Sequence, residues 1–226
     1  MEKNITFSNN IPTAPVLWKS KDGIPMLVQN YKAVLKRVSI TREKLRKFPS
    51  HIQRQFKDCL EEWIHKGIIE PVPYEEREKG FYIPYQVVVR EDKASSKVRI
   101  VLDCASNFGG KSLNSEIKIG SNPMGSLQDI LLQFRKHKYA LTANVKEMFL
   151  AAKLREQDKD YHQIMIEKDG EMKPYRFTSF PFRNACSPKV AITVARMAAE
   201  KFEGKYPEAS SAIVNNTLMD LSLIHI

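Results

Sequence analysis

Phe81-Tyr-Ile-Pro-Tyr-Gln-Val-Val-Val-Arg90 and Lys97-Val-Arg-Ile-Val-Leu102 decide how this 226-residue chain is read. Both runs are aromatic and β-branched, the composition that suits a pleated, half-buried strand. The polar stretch Glu91-Asp92-Lys93-Ala94-Ser95-Ser96 between them reads as the long tip of a hairpin. A helical period precedes this hairpin and a mixture of the two periods follows it, so the spacing predicts an α+β chain.

Upstream, Leu27, Tyr31, Val34, Leu35 and Val38 recur at helical spacing. A second helix is predicted from Ser50, with Gln53 completing a capping box and Ile52, Phe56, Leu60, Trp63 and Ile64 forming one apolar stripe. Gly67 supplies its left-handed stop. Residues 1–25 carry Pro12, Pro15 and Pro25 and read as an irregular lead-in anchored by Val16-Leu17-Trp18.

Downstream, Ser126 and Asp129 cap a short helix whose buried stripe is Leu127, Ile130, Leu131 and Phe134. Tyr139 to Ala143 reads as a strand ending at Asn144. Tyr161 to Glu167 and Tyr175 to Ser179 flank Asp169-Gly170, a two-residue turn signal. Ser187-Pro188 opens a helix rich in small residues (Ala191, Ala195, Ala198, Ala199). Ala212 to Met219 reads as a final strand reaching Asp220.

Composition bounds the function. The 36 Lys+Arg against 26 Asp+Glu give +10, and 42% hydrophobic residues exclude a disordered basic tail. No apolar run approaches the roughly 20 residues that span a bilayer, and Met1-Glu-Lys-Asn leads into no signal-peptide core. Cys59, Cys104 and Cys186 have neither disulfide-framework nor zinc spacing, which fits a reducing, intracellular compartment. The charge points to a polyanion, most commonly nucleic acid.

Three features could carry chemistry. Arg90, Lys93, Lys97 and Arg99 on the hairpin suit a triphosphate or a phosphate backbone; such a cluster also arises simply to keep an edge hairpin soluble. Ala143-Asn144-Val145 ends a strand where a carboxylate would be a natural metal ligand, but the residue is Asn. Asp220 ends another strand and alone reads as a turn residue.

Taken in order, these segments resemble the reverse transcriptases of BEL/Pao-type LTR retrotransposons. The resembling stretches are Tyr82 to Arg90, Lys97 to Asp103, Ser112-Leu-Asn114, Gly120-Ser-Asn-Pro123, Phe134-Arg-Lys-His137, Ala140 to Phe149 and Ser187-Pro188. Leu17-Trp18-Lys19 and Lys66-Gly67 match as well. The likeness covers roughly residues 16–220.

The resemblance implies a right-hand polymerase with a ferredoxin-like palm core. Residues 26–111 would be N-terminal helices and fingers, 112–153 the first part of the palm, 154–181 a second fingers hairpin and 182–220 the rest of a truncated palm, with the thumb absent. It implies an RNA-directed DNA polymerase that uses two Mg²⁺ ions on palm aspartates, hard cations that want carboxylate and phosphate oxygens. By position, Arg99 grips the triphosphate of the incoming dNTP, Arg90 is the best match for its companion basic residue with Lys93 a rival for that place, and Lys97 is a further dNTP-binding residue. Val145 offers a main-chain carbonyl to a metal. Phe149 crowds a ribose 2′-hydroxyl, Phe182 lies under the nucleotide, and Asp220 is the first of a paired-aspartate motif. The implied partners are an RNA or DNA template–primer and the protease, RNase H and integrase of a polyprotein, in the cytoplasm or a virus-like particle.

Three departures stand out. Asn144 occupies the position of the first catalytic aspartate, keeping an acceptor oxygen but losing the charge. Arg183 follows Phe182 where the family usually has Gly. After Asp220 the family continues with a second Asp, whereas Leu221-Ser-Leu-Ile-His-Ile226 resembles the in-frame translation of a sequencing adapter. The sequence therefore predicts a chain that does not polymerise. A non-catalytic template–primer binder is the alternative reading, and an unrelated α+β protein with a charged surface is the third.

Overall fold

The computed structural model describes residues 4–90, 98–121, 126–136, 138–139 and 142–217. It is an α+β structure of three small sheets and six helices among those residues. Strands β1 (Thr6–Ser8) and β2 (Ile11–Ala14) come first, then helices α1 (Tyr31–Arg46) and α2 (Ser50–His65), β3 (Ile69–Pro71), β4 (Tyr85–Val89) and β5 (Val98–Leu102). There follow α3 (Leu127–Phe134), β6 (Lys153–Leu154), a single-turn α4 (Glu156–Lys159), β7 (Gln163–Lys168), β8 (Glu171–Phe177), α5 (Ser187–Lys201) and α6 (Pro207–Asn216).

The hairpin expected from the two β-branched runs is present. β4 and β5 pair antiparallel from Tyr85↔Leu102 to Val89↔Val98. The second hairpin, β7–β8, turns through Asp169 (φ 56°) and Gly170 (φ 81°), the two positive φ values that a tight primed turn requires. β3 completes that sheet on the far side of β8. Gly67 ends the α2 region at φ 60°, as its position predicts.

One apolar cluster joins all of this. It includes Trp18 from the lead-in, Val34 and Val38 of α1, Ile52, Phe56 and Leu60 of α2, both hairpins, and Val190 and Val194 of α5. The stripes on α1 and α2 face this core because their period matches the helix. Among the described residues, no helix is long and apolar enough to cross a membrane.

Several expectations are corrected. The lead-in is irregular only in its second part: β1 and β2 form a hairpin through Asn9 and Asn10, both at positive φ, and β2 runs parallel to β6, whereas residues 15–25 form no strand or helix. Asn tolerates the left-handed region because its short amide can bond locally. The strand expected at Tyr139 to Ala143 is not formed at its described residues, and Tyr139 is 80% exposed. Of the strand expected over Ala212 to Met219, residues 212–216 are instead helical, since α6 runs to Asn216, and Leu218 and Met219 lie outside the described residues. A strand must borrow a neighbour's hydrogen bonds, and among the described residues this segment pairs with no sheet. Pro207 at the first turn, Glu208, Ala209 and Ala212 favour the self-sufficient helix.

The α3 stripe also differs. Only Ile130 is buried, while Leu127, Leu131 and Phe134 are each more than two-fifths exposed. The capping boxes do not form. Pro49 takes the cap position of α2, and Gln53 instead donates Nε2 to the carbonyls of Arg46 and Phe48, stitching α1 to α2. Neither Ser126 nor Asp129 makes a side-chain cap bond on α3. Ser187 lies inside α5, with Cys186 at the cap, and its hydroxyl donates to the Pro181 carbonyl at 2.7 Å.

Candidate functional site

The β4–β5 hairpin sets the direction of Arg99 by simple alternation. Val98 and Ile100 are buried, so Arg99 between them points outward, opposite Val88. It is exposed and makes no ion pair among the described residues. Arg90 follows directly on β4 and is half-buried. Lys93 and Lys97 lie outside the described residues.

The C-terminal end of α2 gathers a second group. The Trp63 ring meets Phe177 at 5.6 Å and Phe182 at 5.9 Å between centroids. One turn on, Lys66 bonds Glu62 and Glu147, each at 2.6 Å. Those two carboxylates hold the Lys66 ammonium above its ordinary range, and Lys66 in turn lowers Glu62. Glu147 sits at φ 54°, a left-handed residue opening the tight turn Met148–Ala151 that carries Phe149. The chain then runs beside residues 178–180, with Phe180 N–H on the Ala152 carbonyl and Leu154 N–H on that of Thr178. Half-buried Phe149 and Phe182 are therefore both attached to the one helix end.

The segment after Phe182 is held from two sides. Asn114 donates Nδ2 to the Arg183 carbonyl at 3.0 Å and accepts the Ala185 N–H at 2.9 Å. Asn184 donates Nδ2 to His162 Nε2 at 2.7 Å and accepts the Cys186 N–H at 3.0 Å. That contact fixes the His162 tautomer, because Nδ1 must then donate to the Asp158 carbonyl. Complete burial pushes the His162 pKa down to about 4, so the ring is neutral. The Asp158 carboxylate accepts Trp18 Nε1 at 2.7 Å and Val16 N–H at 3.0 Å, while its burial pushes the carboxyl upward. This buried chain locks the lead-in, β7 and the 182–186 loop together.

Arg183 itself adopts φ 72°. In that region Cβ crowds the following carbonyl, and glycine is the residue that avoids the cost.

Asn144 and Val145 are exposed, and the Asn144 side chain makes no hydrogen bond among the described residues. The donors described here are an amide oxygen and a peptide carbonyl, both neutral. They do not fit a pair of Mg²⁺ ions, which need carboxylates to offset their charge. Asp220 lies outside the described residues. Among the described residues, no group of three or more His, Cys, Asp or Glu side chains is placed to hold a metal.

Sequence reasoning singled out Arg99, Phe149 and Phe182 and also marked Ser112-Leu-Asn114, whose Asn is the clamp on the 183–185 loop. It missed Trp63, Lys66 and Glu147 as organisers, and it missed Asp158, His162 and Asn184. Their partners are distant in the chain and follow no local period. The arrangement can hold phosphate groups on Arg99 and stack a planar ring near Phe182. The chain matches no protein-family model and no curated protein.

Proposed function

We propose that this chain is the fingers and part of the palm of an RNA-directed DNA polymerase of the BEL/Pao retrotransposon type, in a form that binds template–primer without polymerising. The observation that carries the reading is Arg183. Its φ of 72° is a glycine conformation, and the family resemblance calls for glycine at that position, directly after Phe182. The left-handed backbone at Arg183 is the conformation that a glycine there would adopt without strain. The outward-facing Arg99 on a two-stranded hairpin further supports a contact with dNTP phosphates, with Arg90, Lys93 and Lys97 nearby in sequence.

In this reading Phe149 screens the ribose and Phe182 underlies the nucleotide, both braced on Trp63 and Lys66. The family's two Mg²⁺ ions would supply activation of the primer hydroxyl. Asn144 removes the charge that the first ion needs. The remaining proteins of a retrotransposon polyprotein are the expected partners, in the cytoplasm or a virus-like particle.

Primer extension tests the assignment of position 144. With Mg²⁺, dNTPs and an annealed template–primer, the purified chain is expected to add no nucleotide. Incorporation by the unmodified chain would overturn the role given to Asn144.

A further inference from the structure

Residues Tyr31 to Lys47 contain seven basic side chains against one acidic, so this one stretch carries +6 of the chain's +10. The structure divides these charges by residue type. The arginines are engaged: Arg37 with Asp103 and Ser106 at 2.5 Å, Arg42 with Glu43 and Glu167, and Arg46 with Glu43 at 2.9 Å. Lys36, Lys44 and Lys47 are exposed and make no ion pair among the described residues. Their spacing puts them on one face of α1, within about 16 Å along the helix at 1.5 Å per residue.

Lys44 and Lys47 line a groove of about 490 Å³ between the C-terminal half of α1 and β4, and Lys36 lines an adjoining depression that shares Ile40, Lys44 and Lys47 with it. The groove's apolar surface comes from Ile40, Leu45, Phe48 and Val87, and Arg37, Thr41 and Gln86 add polar groups to the two lysines. Ile40 is half exposed and Phe48 36% exposed, so both present apolar surface to a ligand. Glu43, the one acid of the stretch, is neutralised by Arg46 and Arg42.

We propose that this groove binds an unpaired nucleic-acid strand. Lys36, Lys44 and Lys47 hold phosphates as point charges, and Phe48 with Ile40 takes an unstacked base. A duplex presents the same phosphates but keeps its bases stacked inside, so it gains nothing from the apolar surface. This inference goes beyond the polymerase reading and stands without it, because it rests on the charge and shape of the α1 groove alone.

The test is fluorescence anisotropy with a labelled single-stranded oligothymidylate, using the full chain. The Lys36→Gln, Lys44→Gln, Lys47→Gln triple variant is compared with a control triple of equal charge change, Lys57→Gln, Lys118→Gln, Lys168→Gln, at exposed sites on other elements. The groove triple is expected to bind about ten-fold more weakly and to lower the salt slope by about 2, since each neutralised phosphate of a single strand contributes about 0.7. Phe48→Ala is expected to weaken the single strand about ten-fold and a duplex of the same length much less. Circular dichroism confirms that each variant is folded. Equal losses in the two triples, or equal losses for single strand and duplex in Phe48→Ala, would overturn the proposal. Loss confined to the groove variants supports it even if template–primer shows no preference over single strand, the result that would instead count against the polymerase reading.

Discussion

Asn184 and His162 form a buried pair, with Nδ2 of the amide on Nε2 of the imidazole at 2.7 Å and the ring completely shielded from water. The pair couples the loop after Phe182 to the residue that leads into β7, so the ionisation of one ring bears on the whole loop. Burial holds the folded pKa at about 4, against about 6.5 in the unfolded chain. A depressed pKa of this kind leaves full stability above about pH 6.5, lost progressively as pH falls toward 4. The loss is on the order of 2 kcal/mol between pH 7 and pH 5. Asp158 works against it, because its raised carboxyl takes up a proton more readily when folded. Urea midpoints across this range should fall in the native chain and stay nearly level in His162→Gln. An equal slope in both would show that His162 is not the group responsible.

Arg183 should be improved by glycine. Relief of the left-handed strain is worth about 1–2 kcal/mol, and the extra freedom glycine gives the unfolded chain takes back about 0.4–1 kcal/mol. The Asn114 bond is to the backbone carbonyl and survives the change. Arg183→Gly is therefore expected to raise stability by about 0.5–1 kcal/mol in urea denaturation. A loss of stability would mean that the arginine side chain holds the loop in some other way.

Asp158 is expected to be among the most costly positions to truncate. Asp158→Ala leaves Trp18 Nε1 and the Val16 N–H buried without an acceptor. At about 1–3 kcal/mol for each orphaned donor, the variant should lose about 3 kcal/mol or more. Near-native stability would show that the lead-in is not held by this carboxylate.

What the sequence disclosed, and what it hid, follow the range of the forces involved. β4–β5 and β7–β8 were legible because alternation and turn chemistry act within a few residues, as Asp169-Gly170 illustrates. α1, α2 and α5 were legible from their apolar period, from Gly67 and from Pro188. The β1–β2 hairpin was missed because Asn9-Asn10 is a quieter signal than Asn-Gly and the strands are very short. Ile213 and Val214 suggested a strand, yet the pairing that would make one lies outside any local window, and α6 formed. The outward aim of Arg99 could be read from Val98 and Ile100. The buried chain Trp18, Asp158, His162, Asn184 could not, since Trp18 and Asp158 lie 140 residues apart.

The decisive measurement is affinity for an annealed template–primer, followed by anisotropy as salt is raised. A nucleic-acid-binding polymerase fragment should bind at low salt and lose at least ten-fold in affinity between about 50 and 200 mM, on a straight line of log affinity against log salt. Absence of binding at low salt, or binding indifferent to salt, would contradict the account.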